Sequence, residues 1–318
     1  MKIAKAVLLS LFLIICLNAQ SNNNKYVIVI HGGAGYTSPD ISDSLKQVYF
    51  NSLNKVLKSG KEILEKGGSS LDAVEQVVRL MEDDTVFNAG RGAVFTEAGT
   101  HELDASIMFG KDLSCGAVAG VTKIKNPVSL ARIVMEKTPH VLFAGTGADL
   151  LGEKFDVDLV ENNYFRTEFR YQQWLKSKRK EDEPKGTVGC VALDIYGNIS
   201  AATSTGGRGD KWIGRVGDSP IIGAGNYANN TTCGVSATGW GELFIRHNVA
   251  FNISAIMEYK GFSLKEACDE MLFNRLEPGT GGVIAIDKDG NYYLPFNTAS
   301  MFRGVATSEG IFETAIWK

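Results

Sequence analysis

The sequence contains few histidines and cysteines, the residues on which many metal sites and all disulfide frameworks depend. Its 318 residues include 4 histidines and 5 cysteines. The histidines are too scattered to form a metal site; they are His31, His101, His140 and His247. The cysteines are widely separated and fit no disulfide framework. We therefore expect free thiols at the positions beyond the N-terminal region, which are Cys115, Cys190, Cys233 and Cys268.

The chain also lacks a large excess of charge of one sign. Its 33 lysines and arginines are opposed by 36 aspartates and glutamates, a formal net charge of −3. No basic run is long enough to form a patch, so neither nucleic acid nor a membrane surface is expected as a partner. Hydrophobic residues make up 44% of the sequence, which is ordinary for a globular protein that buries a core.

Apolar runs of transmembrane length are missing as well, and no segment after the apolar run at the N-terminus approaches that length. Lys2 and Lys5 precede the apolar run 6–17, and Ala19 offers a small residue for cleavage. A run of this length is too short to span a bilayer, and the pattern is typical of a secretory signal peptide. We predict a signal peptide at 1–19, a secreted or periplasmic location, and no membrane contact after its removal.

Strand and helix patterns change at one charged segment. Before it, the β-branched run 26–30 predicts a buried strand, followed by helices over about 42–66 and 69–82, the second capped by Ser69. Further strands and helices follow, and the last helical pattern before the linker begins at Tyr164. Residues 176–184 are almost all charged and predict a flexible linker that ends at Gly186. Beyond it, hairpins that begin at Thr187 and Gly282 flank two predicted helices over about 241–259 and 263–273. Few right-handed βαβ units can be drawn, so we predict an α/β fold of mainly antiparallel sheets in a layered sandwich flanked by helices.

The linker leads directly into Gly186 and Thr187, and the threonine opens a buried strand. Gly186 has no Cβ, so its carbonyl is open to attack by the Thr187 hydroxyl, and its peptide can be strained. Hydrolysis of the resulting ester would create an N-terminus with both a hydroxyl nucleophile and an α-amine of pKa about 8. The same residues also fit an ordinary threonine at a strand edge, and this motif alone leaves both alternatives open.

Three further clusters have side chains suited to amide chemistry. Thr205 belongs to a run of strand hydroxyls able to orient a threonine nucleophile. Arg215 and Asp218, opposite in charge and three residues apart, can hold the α-carboxylate and α-ammonium of an amino acid. The segment Thr238–Gly241 precedes a helix and suits an oxyanion hole. Their structural alternatives are a strand end, a surface salt bridge and a helix cap.

Other chemistries lack their motifs. No glycine-rich phosphate loop ending in Gly-Lys-Ser/Thr is present, and no Gly-x-Gly-x-x-Gly follows a strand, so nucleotide binding is disfavoured. The Gly-x-Ser-x-Gly elbow of serine esterases is absent too.

Taken together, the motifs resemble those of the plant-type asparaginase and isoaspartyl peptidase family of N-terminal-nucleophile (Ntn) hydrolases. The resemblance extends from about Tyr26 to the C-terminus. The motifs that carry it are His31-Gly-Gly-Ala-Gly35, Phe87-Asn-Ala-Gly-Arg-Gly-Ala-Val-Phe95, Glu102-Leu-Asp-Ala-Ser106, Gly186-Thr-Val-Gly189, Gly214-Arg-Val-Gly-Asp-Ser-Pro220 and Pro295-Phe-Asn-Thr298.

The resemblance implies a four-layer αββα sandwich and autocleavage between Gly186 and Thr187. An α subunit of residues 20–186, which includes the linker 176–186, and a β subunit of residues 187–318 would form one domain. Two αβ units would form an (αβ)₂ homodimer. The implied activity is hydrolysis of β-aspartyl (isoaspartyl) peptides and of the side-chain amide of L-asparagine, with release of L-aspartate and without a catalytic cofactor.

The resemblance also implies catalytic roles. Thr187 would be the nucleophile, Thr205 its hydroxyl neighbour and Asn88 the asparagine near it, while Thr238 and Gly239 would supply the oxyanion hole. The implied substrate-binding residues are Arg215, Asp218, Thr238, Gly239 and Gly241. Trp240 departs from the smaller or polar residue expected between the glycines, and its indole would narrow or reshape the leaving-group side.

A structural sodium ion is also implied by the resemblance. It would be bound by main-chain carbonyl oxygens, ligands that suit a hard cation. These oxygens belong to Met81, Glu82, Asp84, Phe87, Ala89 and Arg91.

The nearest rival is glycosylasparaginase, which shares the fold and the self-cleavage. It would favour an Asp-Thr scissile pair, whereas this chain has Gly186-Thr187. Whether asparagine or a β-aspartyl dipeptide is the better substrate stays open at this point.

Overall fold

Two β-sheets stacked face to face form the centre of the fold. The computed structural model describes residues 25–177 and 186–318; the predicted signal peptide 1–19 and residues 178–185 of the predicted linker lie outside the described residues. The strands are β1 (Val27–Gly35), β2 (Leu103–Phe109), β3 (Cys115–Val121), β4 (Leu142–Ala144), β5 (Val188–Leu193), β6 (Ile199–Thr205), β7 (Asn226–Ala228), β8 (Cys233–Gly239), β9 (Gly281–Asp287), β10 (Tyr292–Tyr293), β11 (Ser300–Thr307) and β12 (Phe312–Trp317). The helices are α1 (Asp43–Glu65), α2 (Ser70–Asp83), α3 (Pro127–Lys137), α4 (Gly145–Lys154), α5 (Glu168–Ser177), α6 (Gly241–His247), α7 (Val249–Lys260) and α8 (Leu264–Asp269).

Both sheets are mainly antiparallel, as the sequence predicts. The larger sheet has the strand order β12-β11-β1-β5-β6-β2-β3-β4, in which only β3 and β4 run parallel. The smaller sheet has the order β10-β9-β8-β7 and is antiparallel throughout. In the larger sheet β5 lies between β1 and β6, so the chain that follows Thr187 enters the middle of the molecule.

Alternating side chains of the strands separate three apolar layers. In β1, Val27 and Val29 face the smaller sheet, whereas Ile28 and Ile30 pack with α1 and α2. A further layer lies between the smaller sheet and helices α7 and α8. Three buried layers of this kind require four layers of secondary structure. The predicted αββα sandwich, the Ntn-hydrolase fold, is therefore confirmed.

Several element boundaries differ from the predicted ones. The helix predicted over 241–259 is two helices, α6 and α7, because Asn248 between them adopts a left-handed conformation with φ of 45°. The helical pattern that begins at Tyr164 gives a short 3₁₀ turn before α5. The sequence patterns do not predict β4, α4, β11 or β12.

Side-chain caps begin the helices where the sequence contains a serine. The Ser69 hydroxyl accepts a hydrogen bond from Asp72 N, as predicted, and Ser42 caps α1 through Leu45 N. Each cap satisfies a backbone donor that has no partner inside the helix. The cap at Ser69 places α2 and the loop that follows it, which contains Asn88.

In residues 25–177 and 186–318, no helix combines the length and the apolar character needed to cross a membrane. The cysteines of the same residues are free thiols, three of them buried and Cys115 half-buried.

Candidate active site

Thr187 lies immediately before β5, with its side chain 6% exposed. Its hydroxyl donates a hydrogen bond to Thr205 Oγ1 at 3.2 Å. Thr205 is the last residue of β6, which pairs with β5 along its length. The sheet therefore brings together two predicted site residues that are 18 positions apart.

Thr205 links the hydroxyl of Thr187 to the peptide bond before it. Its oxygen accepts hydrogen bonds from Thr187 Oγ1 and from Gly207 N, at 3.2 and 2.9 Å, and its proton is donated to Gly186 O at 3.1 Å. This set uses the donor and both acceptor positions of the hydroxyl. Because Thr187 is the donor to Thr205, its oxygen becomes more electron-rich as the proton shifts along the chain of hydroxyls.

Asn88 holds the same carbonyl oxygen of Gly186. Its Nδ2 donates to Gly186 O at 2.8 Å and to Gly207 O at 2.7 Å, while its Oδ1 accepts from Val94 N at 2.9 Å. The side chain is 1% exposed, so these bonds define the orientation of the amide. Two donors on one carbonyl oxygen, Asn88 and Thr205, are arranged to stabilise negative charge that develops on that oxygen.

The glycine-rich end of β1 packs directly against the same peptide. The register with β11 shifts between His31 and Gly33, which marks a β-bulge. Gly33 has a φ of 114°, a conformation that favours glycine. A Cβ on Gly33 would lie 2.9 Å from Gly186 Cα. The bulge therefore depends on glycine, and it sets the position of the Gly186–Thr187 peptide.

His31 is a buried residue of the site whose role the sequence does not predict. Its Nδ1 lies 3.0 Å from Thr187 O and its Nε2 lies 2.8 Å from Ser236 Oγ. A carbonyl can only accept, so Nδ1 carries the proton and Nε2 accepts from Ser236. Burial lowers the pKa of His31 to about 3, so the ring is neutral at physiological pH. It ties the backbone of Thr187 to β8 of the smaller sheet.

Asp218 lines the pocket beside Thr187 with a buried carboxyl group. It is 4% exposed, and its Oδ2 has no hydrogen-bond partner among residues 25–177 and 186–318. Burial raises the pKa of its carboxyl to about 7, against the opposing effects of a backbone hydrogen bond and the charge of Arg215. A buried, unpartnered carboxylate is costly unless a ligand compensates it, so Asp218 is suited to bind an ammonium group.

Arg215 pairs with Glu242, a residue that the sequence analysis does not single out. Its Nε and Nη2 donate to Glu242 Oε1 and Oε2, each at 3.0 Å. Arg215 and Asp218 line the same pocket, but the described part of the chain shows no ion pair between them. The bidentate contact orients the guanidinium plane. The feature of the sequence that could have identified Glu242 is its position directly after Gly241, a predicted substrate-binding residue, in the first turn of α6.

The segment predicted as an oxyanion hole borders the same pocket. Gly239 and Gly241 line it together with Thr187. Thr238 is fully buried, and its hydroxyl accepts a hydrogen bond from Ala34 N at 3.1 Å. A Cβ on Gly241 would approach Asp218 Oδ1 to 2.9 Å, so the absence of a side chain there leaves room beside the carboxylate.

Arg208 and Trp240 form the outer rim of the pocket. The indole is 43% exposed, and the guanidinium carbon of Arg208 lies 5.9 Å from the ring centroid, within the range of a cation–π contact. In the uncut chain the pocket has a cavity volume of about 20 Å³, which is room for about one water molecule. The walls of a binding site are thus in place, without space for an amino acid.

The predicted sodium ligands lie in the last turn of α2 and in the loop that follows it. A Cβ on Gly90 would clash with Glu82 O, and one on Gly92 would clash with Phe87 O. The loop therefore folds closely around its own carbonyl oxygens. Within the ranges that the structure describes, no three His, Cys, Asp or Glu side chains cluster in a way that could hold a metal, so an ion in this loop would depend on main-chain oxygens.

Comparison with known proteins identifies one family. A family model described as "Asparaginase" matches residues 24–316. The chain is similar to the isoaspartyl peptidase of Escherichia coli, at 48% identity over 88% of this chain and 92% of that protein. It is similar to the isoaspartyl peptidase of Salmonella typhimurium, at 47% identity over 88% and 95%. The isoaspartyl peptidase/L-asparaginase of Mus musculus is 43% identical over 86% of each chain.

The predicted secreted or periplasmic location is wrong. It is contradicted by the similarity to the isoaspartyl peptidases of Escherichia coli and Salmonella typhimurium.

Proposed function

This chain belongs to the asparaginase family, and we propose that it is an amidohydrolase that activates itself by cleavage between Gly186 and Thr187. Its substrates are β-aspartyl (isoaspartyl) peptides and the side-chain amide of L-asparagine, and it releases L-aspartate. The observation that carries the proposal is the hydrogen bond from the Thr187 hydroxyl to Thr205, beside a carbonyl oxygen held by two donors. The names of its relatives support this function over glycosylasparaginase.

Self-cleavage begins with attack of Thr187 Oγ on the carbonyl carbon of Gly186. The leaving nitrogen of Thr187 takes up the hydroxyl proton, and Asn88 and Thr205 stabilise the oxyanion on Gly186 O. The C–N bond breaks, and an ester then joins the Gly186 carbonyl to Thr187 Oγ. Water hydrolyses this ester, which leaves a carboxylate on Gly186 and a free hydroxyl and α-amine on Thr187.

In the cut enzyme the same hydroxyl attacks the substrate. The α-amine of Thr187, with a pKa of about 8, takes the hydroxyl proton as general base. Attack on the side-chain carbonyl of the substrate forms a β-aspartyl ester and expels ammonia or a peptide amine, which receives the proton. Thr238 and Gly239 stabilise the oxyanion. Water then cleaves the ester and releases aspartate.

The α-groups of the substrate are bound by charges on one wall of the pocket. Arg215 binds the α-carboxylate in the bidentate manner of guanidinium groups. Its guanidinium plane is oriented by the two hydrogen bonds to Glu242. Asp218 binds the α-ammonium through its buried carboxylate, whose Oδ1 lies next to Gly241 of the pocket wall. Gly241 lines the space between these two side chains and the substrate. Both charges are needed because either one alone would leave a substrate charge uncompensated.

We further propose the assembly that the family resemblance implies. Residues 20–186 form the α subunit and residues 187–318 the β subunit of one αββα domain, and two αβ units form an (αβ)₂ homodimer. A structural sodium ion binds main-chain oxygens of the last turn of α2 and of the loop after it. The tight folding of that loop around the carbonyls of Glu82 and Phe87 supports this site, and the ion contributes no step to catalysis.

The test is autocleavage followed by an assay. Purified wild-type chain should split, without a protease, into a fragment that ends at Gly186 and one that begins at Thr187, identified by Edman sequencing. Thr187→Ala should stay whole, folded and inactive, whereas Thr187→Ser, which keeps a hydroxyl, should still cleave more slowly. A wild-type chain that stays whole and yet hydrolyses β-aspartyl dipeptides would refute the mechanism.

A further inference from the structure

Two side chains of the Thr187 pocket have no part in the proposed chemistry. The described residues other than glycine that line this pocket are Thr187, Thr205, Arg208, Arg215, Asp218 and Trp240. The two threonines carry the reaction, and Arg215 and Asp218 bind the α-groups of the substrate. Arg208 and Trp240 are therefore the side chains of the pocket to which no role has been given.

These two residues form one composite surface. The guanidinium of Arg208 lies 5.9 Å from the centroid of the Trp240 indole. Trp240 is the residue before α6, and its backbone N–H donates to Thr280 O at 2.9 Å, which anchors it to the smaller sheet. Arg208 follows β6 by three residues, directly after the turn that Asn88 holds through Gly207 O. Both are thus attached to the elements that position the nucleophile.

The burial gradient in the pocket gives the direction of a bound substrate. Asp218 is 4% exposed and Thr187 is 6% exposed, whereas Trp240 is 43% exposed. A substrate whose α-ammonium binds Asp218 and whose side-chain carbonyl meets Thr187 runs from the buried end outward. Its leaving nitrogen, and whatever that nitrogen carries, therefore points toward the exposed rim.

The two substrates differ in what they place at this rim. Asparagine releases ammonia, which has no group to contact Arg208 or Trp240. A β-aspartyl dipeptide releases an amino acid, whose α-carboxylate is attached to the carbon beside the leaving nitrogen. A guanidinium binds a carboxylate with geometric specificity, and an indole offers a large apolar face to a side chain. The rim thus matches a leaving amino acid in both its charge and its apolar part.

The charged neighbours of the rim favour an anion. The carboxylate of Glu242 is already bound by both oxygens to Arg215. The pKa of Glu242 is lowered, despite partial burial, by its hydrogen bond to Arg215 and by smaller effects that include the charge of Arg208. Asp218 lies at the buried end and is assigned to the α-ammonium. Glu242 is therefore already paired with Arg215, and Asp218 is assigned to the α-ammonium of the substrate. Arg208 and Arg215 both line the pocket with a guanidinium group.

A second cavity beside Gly186 is less suited to the leaving group. It has a volume of about 390 Å³ and is lined by Gly33, Asn88 and Arg170 among others. The guanidinium of Arg170 is 7% exposed and already donates to Gly92 O and Gln173 Oε1. This cavity adjoins the carbonyl side of Gly186 rather than the wall that binds the α-groups.

We infer that Arg208 and Trp240 form a leaving-group subsite that selects β-aspartyl peptides with a free α-carboxylate on the released residue. Arg208 binds that carboxylate, and Trp240 packs against the side chain next to it. The inference rests on the proposed function, since it concerns the outer half of the same substrate. It gives the reshaped leaving-group side that Trp240 implies a preference for one class of leaving group.

The experiment compares matched substrates on the self-cleaved enzyme. β-Asp-Leu and β-Asp-leucinamide differ only in the carboxylate, while β-Asp-Leu and β-Asp-Gly differ only in the apolar side chain. We expect the wild type to prefer β-Asp-Leu over its amide by about tenfold in kcat/KM, the size expected for a partly exposed charge contact. Equal kcat/KM values for this pair would overturn the subsite.

Variants then assign the preference to the two residues. Arg208→Gln should bring the Leu-to-amide ratio of kcat/KM close to 1, and Arg208→Lys should restore part of it. Trp240→Leu should lower the ratio of β-Asp-Leu to β-Asp-Gly by about threefold to tenfold. Arg246→Gln and Trp212→Leu are the controls, since they remove the same groups from exposed positions outside the pocket.

The outcomes separate this inference from the proposed function. If the wild type hydrolyses neither asparagine nor any β-aspartyl peptide, the proposed function fails and the subsite fails with it. If the wild type hydrolyses them but Arg208→Gln keeps the wild-type Leu-to-amide ratio, only the subsite is overturned. If Arg208→Gln does not undergo self-cleavage, the Leu-to-amide ratios of kcat/KM for the wild type and for Arg208→Lys test the subsite instead.

Discussion

At the scale of single residues, burial determines the charge of the groups around Thr187. Lost hydration lowers the pKa of His31 to about 3 and raises that of Asp218 to about 7, in each case because burial disfavours the charged form. The outcomes differ because the hydrogen bonds differ. Both ring nitrogens of His31 have partners, whereas Asp218 Oδ2 has none in the part of the chain that the structure describes. His31 is thus a structural group, and Asp218 is prepared for a ligand.

The raised pKa of Asp218 predicts a pH dependence for substrate binding. Asp218 must be ionised to attract an α-ammonium, and with a pKa of about 7 it is increasingly protonated below neutral pH. The Thr187 α-amine must also be neutral to act as base, and its pKa is about 8. We therefore expect kcat/KM for asparagine to fall toward acid pH with a slope on log axes that approaches 2, measured from pH 5 to 9.

Asp218→Asn is the matched control for this profile. It removes one of the two titrating groups, so its kcat/KM should be lower throughout and should fall with a slope of about 1. Identical slopes for the variant and the wild type would show that Asp218 does not titrate in the assayed range.

At the scale of elements, the bulge in β1 positions the bond that is cut. Strand β1 pairs with β5 through His31 opposite Gly189, and beyond that point the bulge turns Gly33 onto Gly186. The bulge and the strand are parts of one element, so the rigidity of the sheet is transmitted to the scissile peptide. A reaction that depends on the alignment of Thr187 Oγ with a carbonyl carbon is sensitive to displacements of this peptide.

Gly33→Ala should therefore slow self-cleavage strongly. The added Cβ would approach Gly186 Cα to 2.9 Å, and a shift of the peptide by a fraction of an ångström should reduce the rate by on the order of 10- to 100-fold. The measurement is the half-time of fragment appearance on denaturing gels after rapid purification.

Gly197→Ala controls for the backbone effect of this change. Gly197 also has a positive φ, 77°, but a Cβ there would meet nothing within 4 Å. It should lose about 1–2 kcal/mol of stability for the same conformational reason and cleave at the wild-type rate. Equal cleavage rates for Gly33→Ala and the wild type would contradict the role of the bulge.

At the scale of the whole molecule, the larger sheet joins the two proposed subunits. Strands β1 and β2 precede the cleavage point, and β5 and β6 follow it, yet the strand order places β5 beside β1 and β6 beside β2. Hydrogen bonds and two apolar layers therefore cross from one proposed subunit to the other. Cutting the single peptide between Gly186 and Thr187 leaves those contacts in place.

The cut enzyme should accordingly keep its subunits together. We expect size-exclusion chromatography with light scattering to give one peak near twice the 34.4 kDa of one chain, the (αβ)₂ mass, both before and after cleavage. The α and β fragments should separate only in denaturant, because the shared core must unfold first. A native mass of a single chain would contradict the dimer, and free fragments in native buffer would contradict the shared core.

Much of this protein follows from local patterns in its sequence. The β-branched run 26–30, the Ser69 cap and the hairpin that starts at Thr187 are confirmed, because period, caps and turn residues act over a few neighbouring positions. The αββα class follows from the order of such elements together with the motifs. The candidate nucleophile is also a local feature, a threonine after glycine at the start of a buried strand. Residues 178–185, where most of the charged segment lies, are outside the described residues.

Only the tertiary structure decides which side chains act on that threonine. Asn88 donates to the carbonyl of a residue 98 positions later, and His31 holds Thr187 across 156 positions. These partners meet because β1, β5 and β6 are adjacent in one sheet, an arrangement that depends on non-local strand pairing. The contact of Glu242 with Arg215 likewise depends on how α6 packs against the loop after β6. A sequence pattern reports the preferences of neighbouring residues, whereas these contacts are determined by the packing of distant elements around a common core.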